Sequence, residues 1–242
     1  MSARTRLDRE GIAALPQRHR ARLVNSLSGF KSANHVGTAD GEGRMACCIV
    51  SSVVHLGSNP ALLGVVFRPP GDDSHNYHNL AATGHFTLSH VTAAIHEAAH
   101  QTSARYAADV SEFDAVGLTP HWHGEGKTRF SAPAVVESPV RLGLAVQDDL
   151  PLPNGCRFVI GAIQWVDFEE ELQAEDGFLD LASAGTIAIG GLDAYHTAER
   201  VARLSYAKVD RPLESREDFR DGWDWPECHV EPICPPRHLV EA

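Results

Sequence analysis

Residues 35–69 read HVGTADGEGRMACCIVSSVVHLGSNPALLGVVFRP, and this stretch decides the fold. Runs rich in β-branched and small apolar residues are split by the turn clusters ADGEG and GSNP, where glycine, asparagine and proline supply turn geometry. The pattern predicts strand, hairpin, strand, loop, strand. Downstream, HNLAATGHFTLSHV (78–91) predicts a short helix closed by Gly84 that runs into another strand. The alanine-rich TAAIHEAAHQTSARYAA (92–108) predicts a helix with Thr92 as N-cap. From Pro133 the strand signal returns in AVVESPVRLGLAVQDDL and CRFVIGAIQWVDF, and GFLDLASAGTIAIGGLDAYHTAERVARLSYAK closes the ordered part. Upstream, residues 5–25 predict helix through Leu7, Ile12, Leu15 and Leu23, with Pro16 starting or interrupting it.

Many short strands with two or three helices and no internal repeat predict a mostly β chain, a β-barrel with helical insertions, and not a βαβ sheet. We expect a helical arm over 1–22, the barrel domain over 23–208 and an irregular C-terminal arm over 209–242.

Whole-chain properties exclude several classes. The 242 residues are 43% hydrophobic and 22% charged, which is ordinary for a globular chain. A formal net charge of −11 leaves no excess of Lys and Arg to neutralise phosphates, so neither nucleic acid nor an anionic membrane is an expected partner. The basic N-terminal stretch lacks the apolar core of a secretory signal, and no run of 18 apolar residues occurs. Five irregularly placed cysteines, with Cys47 and Cys48 adjacent, do not form a disulfide framework. A cytoplasmic location with reduced thiols is expected. CHVEPIC (228–234) matches no common zinc spacing.

HEAAH (96–100) matches the H-E-x-x-H pattern of zinc peptidases, in which two histidines one helical turn apart hold the metal and the glutamate acts as base. The H-x-x-G-x-x-H extension is absent, and the segment around Glu112 reads as a loop, not as the second helix a third ligand needs. No metal site is expected.

LVNSLSGFKSANHVGT, VSSVVHLGSNPALLGVVFRP, TGHFTLSHV, AHQTSARY, SEFDAVGLTP, GLDAYH and ARLSYAK, taken in order, resemble the flavin reductase-like family of FMN-binding split-barrel proteins. The resemblance runs from about Leu23 to Lys208. It implies a Greek-key split β-barrel, a homodimer, FMN as cofactor, NAD(P)H as co-substrate, and electrons passed to flavin or another small acceptor. A non-enzymatic FMN carrier or sensor is the alternative, and a zinc hydrolase built on HEAAH is the remote one.

Within that resemblance, Ser51 and Ser52 are candidates for close approach to the flavin ring, and His55 and Gly57 follow towards the ribityl chain and phosphate. Arg68 precedes a polar loop in which relatives use Ser or Thr for the phosphate. Asn76 matches that position here, so Ser74 or His75 is an alternative, and the helix start adds amide donors. Lys31, with Ser32 and Asn34 beside it, is a second phosphate candidate. Tyr195 and His196 after Gly190–Gly191 are candidates for contact with the ring. Each has a plainer alternative: a solvated strand-edge lysine, a hydrogen-bonded serine pair, a surface arginine, a structural tyrosine. Cys47 and Cys48, where relatives often carry polar residues, are expected to be small buried hydrophobes. No catalytic residue is assigned, because the cofactor carries hydride chemistry.

Overall fold

The computed structural model describes residues 4–107, 109–210 and 212–215. Two short helices come first, α1 (Arg9–Ala14) and α2 (Gln17–Leu27), and Pro16 stands at the N-cap of the second. Asp8 caps α1 by accepting the Gly11 amide at 2.7 Å. The strands are β1 (Phe30–Ser32), β2 (Asn34–Ala39), β3 (Met45–Val50), β4 (Val53–Ser58), β5 (Ala61–Phe67), β6 (His85–His90), β7 (Pro120–His121), β8 (Ala134–Val135), β9 (Val140–Pro151), β10 (Arg157–Phe168), β11 (Ile187–Gly190) and β12 (Ala194–Thr197). Three further helices are α3 (His75–Thr83), α4 (His96–Gln101) and α5 (Glu112–Val116). The opening stretch therefore holds four strands, one more than its turn clusters predict.

Seven strands form one antiparallel sheet in the order β3-β2-β6-β9-β10-β5-β4. One face of it encloses a single apolar cluster of Val36, Val65, Phe67, Leu80, Phe86, Leu88, Leu144 and Val159, and Cys48, Val50 and Val53 from the two edge strands pack on that same cluster. A sheet whose two edges touch one core has curled into a barrel, with a seam between β3 and the β4–β5 hairpin. β6, β9 and β10 are successive strands of this sheet and lie side by side, and β5, the strand of the sheet that precedes them, lies beside β10, which is a Greek key. Helix α3 plugs one end with Leu80. Aromatic rings lie over glycines inside and outside the wall: a Cβ at Gly161 would come within 2.8 Å of Phe86, and one at Gly143 within 2.0 Å of Trp165.

A small sheet, β1-β11-β12, packs beside the barrel and shares a second cluster of Ala33, Val91, Ala99, Ile187 and Ile189. Its register pairs Lys31 with Ile189. A third cluster joins Cys47 on the outer face of β3 to Phe113 and Leu118 around α5.

Two local expectations are corrected. The helix read over 92–108 is only the six residues of α4. Thr92 is not its N-cap, because it is taken by a β-bridge to Thr186. The segment read as a loop around Glu112 is helix α5, entered at Ser111 and closed by Gly117 at φ 72°. Among the described residues, no helix is long and apolar enough to cross a membrane. Cys228, Cys234 and most of the expected C-terminal arm lie outside the described residues.

Candidate functional site at the barrel seam

β3 ends at Val50, and Ser51 and Ser52 carry the chain across the seam, where the Val66 amide of β5 donates to the Ser52 carbonyl at 3.1 Å. β5 then delivers Arg68 to the same rim. The Arg68 charge reaches the Cys48 thiol, favouring its thiolate against burial, the main cause that pushes that pKa up to about 12. Burial, with Cys48 and Glu112 adding to it, also raises the Cys47 thiol well above its ordinary value. Both cysteines are free thiols held neutral, which agrees with their reading as small buried hydrophobes.

The loop after Arg68 turns into α3. Ser74 sits at the N-cap, yet its hydroxyl faces backwards to accept the Gly71 amide at 2.9 Å, so no side chain caps the first turn of α3. The helix itself is firmly placed. The Tyr77 hydroxyl donates to Asp149 at 2.6 Å, and Arg157 donates to the same carboxylate at 2.9 Å. Asn76 points inward, and with its amide oriented to suit its surroundings it donates to the carbonyls of Val36 and Ala46 at 3.2 Å. Asp73 pairs with Arg105 at 3.0 Å, which ties the loop to the segment after α4.

Glu112 backs the seam from the outer side. Only 7% exposed, it accepts the amide of Cys47 at 2.9 Å, on the edge of β3 that no strand covers. Burial raises its pKa, while that amide and the charge of His75 at the start of α3 partly offset the rise. Sequence reasoning missed this residue and the Asp73–Arg105 pair. The S-x-x-D pattern of Ser111 to Asp114 followed by Gly117 was the available signal for α5, but nothing local announces a partner 65 residues away.

The sequence candidates thus separate. Ser51, Ser52 and Arg68 lie at the seam, and Ser74, His75 and Asn76 open α3, where the charge of His75 reaches Glu112 behind β3. His55 and Gly57 lie along β4 and flank a register shift. Lys31, Tyr195 and His196 belong to the small sheet. The Lys31 ammonium donates to the carbonyls of Asn25 at 2.9 Å and Gly191 at 3.1 Å, closing the end of α2 against the β11–β12 turn. Tyr195 bonds His100 at 2.8 Å and meets the ring of His96 edge-on at 5.6 Å, and its pKa is raised chiefly by burial. His196 packs edge-on against Phe30. Asn34 and Ser32, bonded to each other at 2.9 Å, lie between the two groups, since Asn34 pairs with Val50.

The histidines of HEAAH are therefore engaged with Tyr195 and, for His96, with the Ala93 carbonyl at 2.7 Å. Among the described residues no group of three or more His, Cys, Asp or Glu side chains is placed to hold a metal ion.

Comparisons with known proteins agree with this architecture. A split-barrel protein of Shewanella frigidimarina NCIMB 400 assigned as a flavin reductase is 46% identical, with a TM-score of 0.79 over 84% of this chain and 100% of its own. Nitrilotriacetate monooxygenase component B of Bacillus cereus superposes with a TM-score of 0.72 at 18% identity, over 84% of this chain and 100% of its own. An FMN-binding protein of Thermus thermophilus does so at 0.57 and 17%, over 81% and 94%. The search of curated proteins finds no match. The model of the flavin reductase like domain matches residues 27–184. This chain, a mostly β split barrel, belongs to the flavin reductase like family.

Proposed function

We propose that the protein is an FMN-binding oxidoreductase of flavin reductase type, which takes electrons from NAD(P)H and passes them to free flavin or another small acceptor. The observation that carries this reading is the uncapped N-terminus of α3 beside Arg68, which makes no ion pair with a described residue. Free first-turn amides, the positive end of a helix and an unpaired guanidinium are what a dianionic phosphate requires. The residues at the seam fit the group: the α3 amides, Ser74 and Arg68 would hold the phosphate, and Ser51 and Ser52 would meet the polar edge of the ring. FMN supplies the hydride-accepting chemistry when bound. The protein's part is to bind and orient it, and the neutral Cys48 beneath the seam keeps a second anion out of the site.

All strand pairings of the described residues are antiparallel, so there is no βαβ unit to bind a dinucleotide, and NAD(P)H would dock transiently against the open flavin face. A homodimer is part of the proposal. The edge strand β4 exposes Val54 and Leu56, and the neighbourhood of α2 exposes Val24, Leu27 and Phe30 at 72%. Free thiols at Cys47, Cys48 and Cys156 support a reducing cytoplasmic setting.

The test is an absorption spectrum of FMN-loaded protein followed by anaerobic NADH and NADPH. Flavin bands that bleach with either nucleotide support a reductase. Bands that persist until dithionite is added would make the protein a carrier or sensor, and failure to retain or exchange FMN at all would end the flavin reading.

A further inference from the structure

One carboxylate, Asp149, fastens α3 to two strands of the barrel. The Tyr77 hydroxyl, in the first turn of the helix, donates to Asp149 Oδ2 at 2.6 Å, the length of a charge-assisted bond. The other carboxylate oxygen accepts Arg157 Nε at 2.9 Å, and Arg157 Nη2 donates to the Asp149 carbonyl at 2.9 Å. The side chains of Arg157 and Asp149 are only 26% and 24% exposed.

The same clamp reaches β5, whose last residue precedes Arg68. Arg157 stands opposite that residue, Phe67, in the β10–β5 register, and the Tyr77 ring lies beside the Phe67 ring with centroids 6.0 Å apart. Farther round the β9–β10 turn, a Cβ added to Gly155 would stand 3.5 Å from Pro69, so the turn also backs the loop that leaves Arg68. On the other side of Tyr77, Asn76 is hydrogen-bonded to Thr38 of β2 at 3.1 Å. The first turn of α3 and the end of β5 therefore keep one spacing, and their supports converge on Asp149. Amides and a guanidinium hold a dianion strongly when their directions are fixed before it arrives, because no ordering cost is then left to meet on binding. A flavin without a phosphate gains nothing from that spacing.

We propose that Asp149 is a positioning residue for the flavin phosphate: through Tyr77 and Arg157 it fixes the α3 amides relative to Arg68, and so makes the protein prefer FMN to riboflavin. The inference rests on the phosphate reading above and adds to it the residue that sets the preference.

Fluorescence titrations of FMN and riboflavin into the full chain test it, with Tyr77→Phe and Asp149→Asn alongside. The unaltered protein should bind FMN about a hundredfold tighter than riboflavin. Tyr77→Phe keeps the ring beside Phe67 and removes only the hydroxyl. It should weaken FMN about fivefold and leave riboflavin within about twofold. Asp149→Asn should weaken FMN about tenfold, again with riboflavin spared. The double variant should bind FMN no more weakly than Asp149→Asn alone, since both changes act through one bond. The phosphorus NMR resonance of bound FMN should move in each variant, which a mere loss of stability would not cause. Equal losses of FMN and riboflavin, or a ratio of the two affinities unchanged by both variants, would overturn the inference and leave the flavin reading standing. Binding of neither flavin by the unaltered protein, or of both alike, would take down the phosphate reading and the inference with it. Should Asp149→Asn fail to fold, Tyr77→Phe decides alone.

Discussion

The seam and the small sheet carry similar residues to opposite ends. Arg68 and Lys31 are both cations on a strand or just past one. At the seam, Arg68 is exposed and unpaired among the described residues, and α3 begins uncapped. On the small sheet, Lys31 is spent on two carbonyls and Tyr195 on His100. What separates a binding site from a structural joint is thus the state of the polar groups after folding, and composition alone does not reveal it.

Acid gives the largest expected effect, because it acts on two histidines buried in the barrel wall, on β2 and β6. His35, fully buried on β2 with both ring nitrogens unpartnered, has its pKa lowered to about 4 by burial, which outweighs the opposing effect of Glu137. His90, bonded to Thr186, is also lowered to about 4 by burial. Below about pH 6.5 the unfolded chain takes up protons that the folded chain refuses. Stability is therefore complete above that pH and falls as pH drops towards 4, by about 3 kcal/mol for His35 alone. Urea unfolding at a series of pH values measures the slope. His35→Met should flatten it and leave stability at pH 7 equal or higher, because it removes two unpaired buried polar atoms. A slope unchanged by that substitution would refute the account.

Arg68→Glu should act on the other side. FMN affinity should fall about a hundredfold, since a charge-assisted bond is lost and a repulsive charge added, while the unfolding midpoint stays put. Lys31→Met should do the reverse, costing about 1–2 kcal/mol of stability and leaving the FMN dissociation constant within about twofold. If Lys31→Met instead abolished FMN binding with folding intact, the division of the two regions would collapse. The smallest effect belongs to Tyr195→Phe, which removes one exposed bond to His100 and should cost about 0.5 kcal/mol with FMN binding unaffected. Equilibrium unfolding and a fluorescence titration of FMN decide all three.

Much of the barrel was legible in the sequence because it is written locally. Alternation marks β9 and β10, glycine and asparagine mark the hairpin turns, and Gly84 marks the end of α3. Helix α4 was over-read because an alanine run carries helix propensity without showing that Thr92 pairs with Thr186, 94 residues on. α5 was under-read because five residues are too few to show a period. The seam was half legible. Strand ends and a loop-to-helix junction point to Arg68 and Ser74, but the occupation of Lys31 depends on Gly191, 160 residues away, and no spacing in the sequence encodes that.

The carboxylate of Glu112 on the Cys47 amide has a consequence beyond the seam. β3 is an edge strand, and an open edge of amides and carbonyls is a template on which another chain can add a strand. Glu112 occupies that edge with a side chain, doing for one amide what a neighbouring strand would otherwise do. The barrel can thus stay split where it needs access without offering its edge to aggregation, and a protein lacking this carboxylate should form fibrillar or amorphous aggregates before it loses its fold.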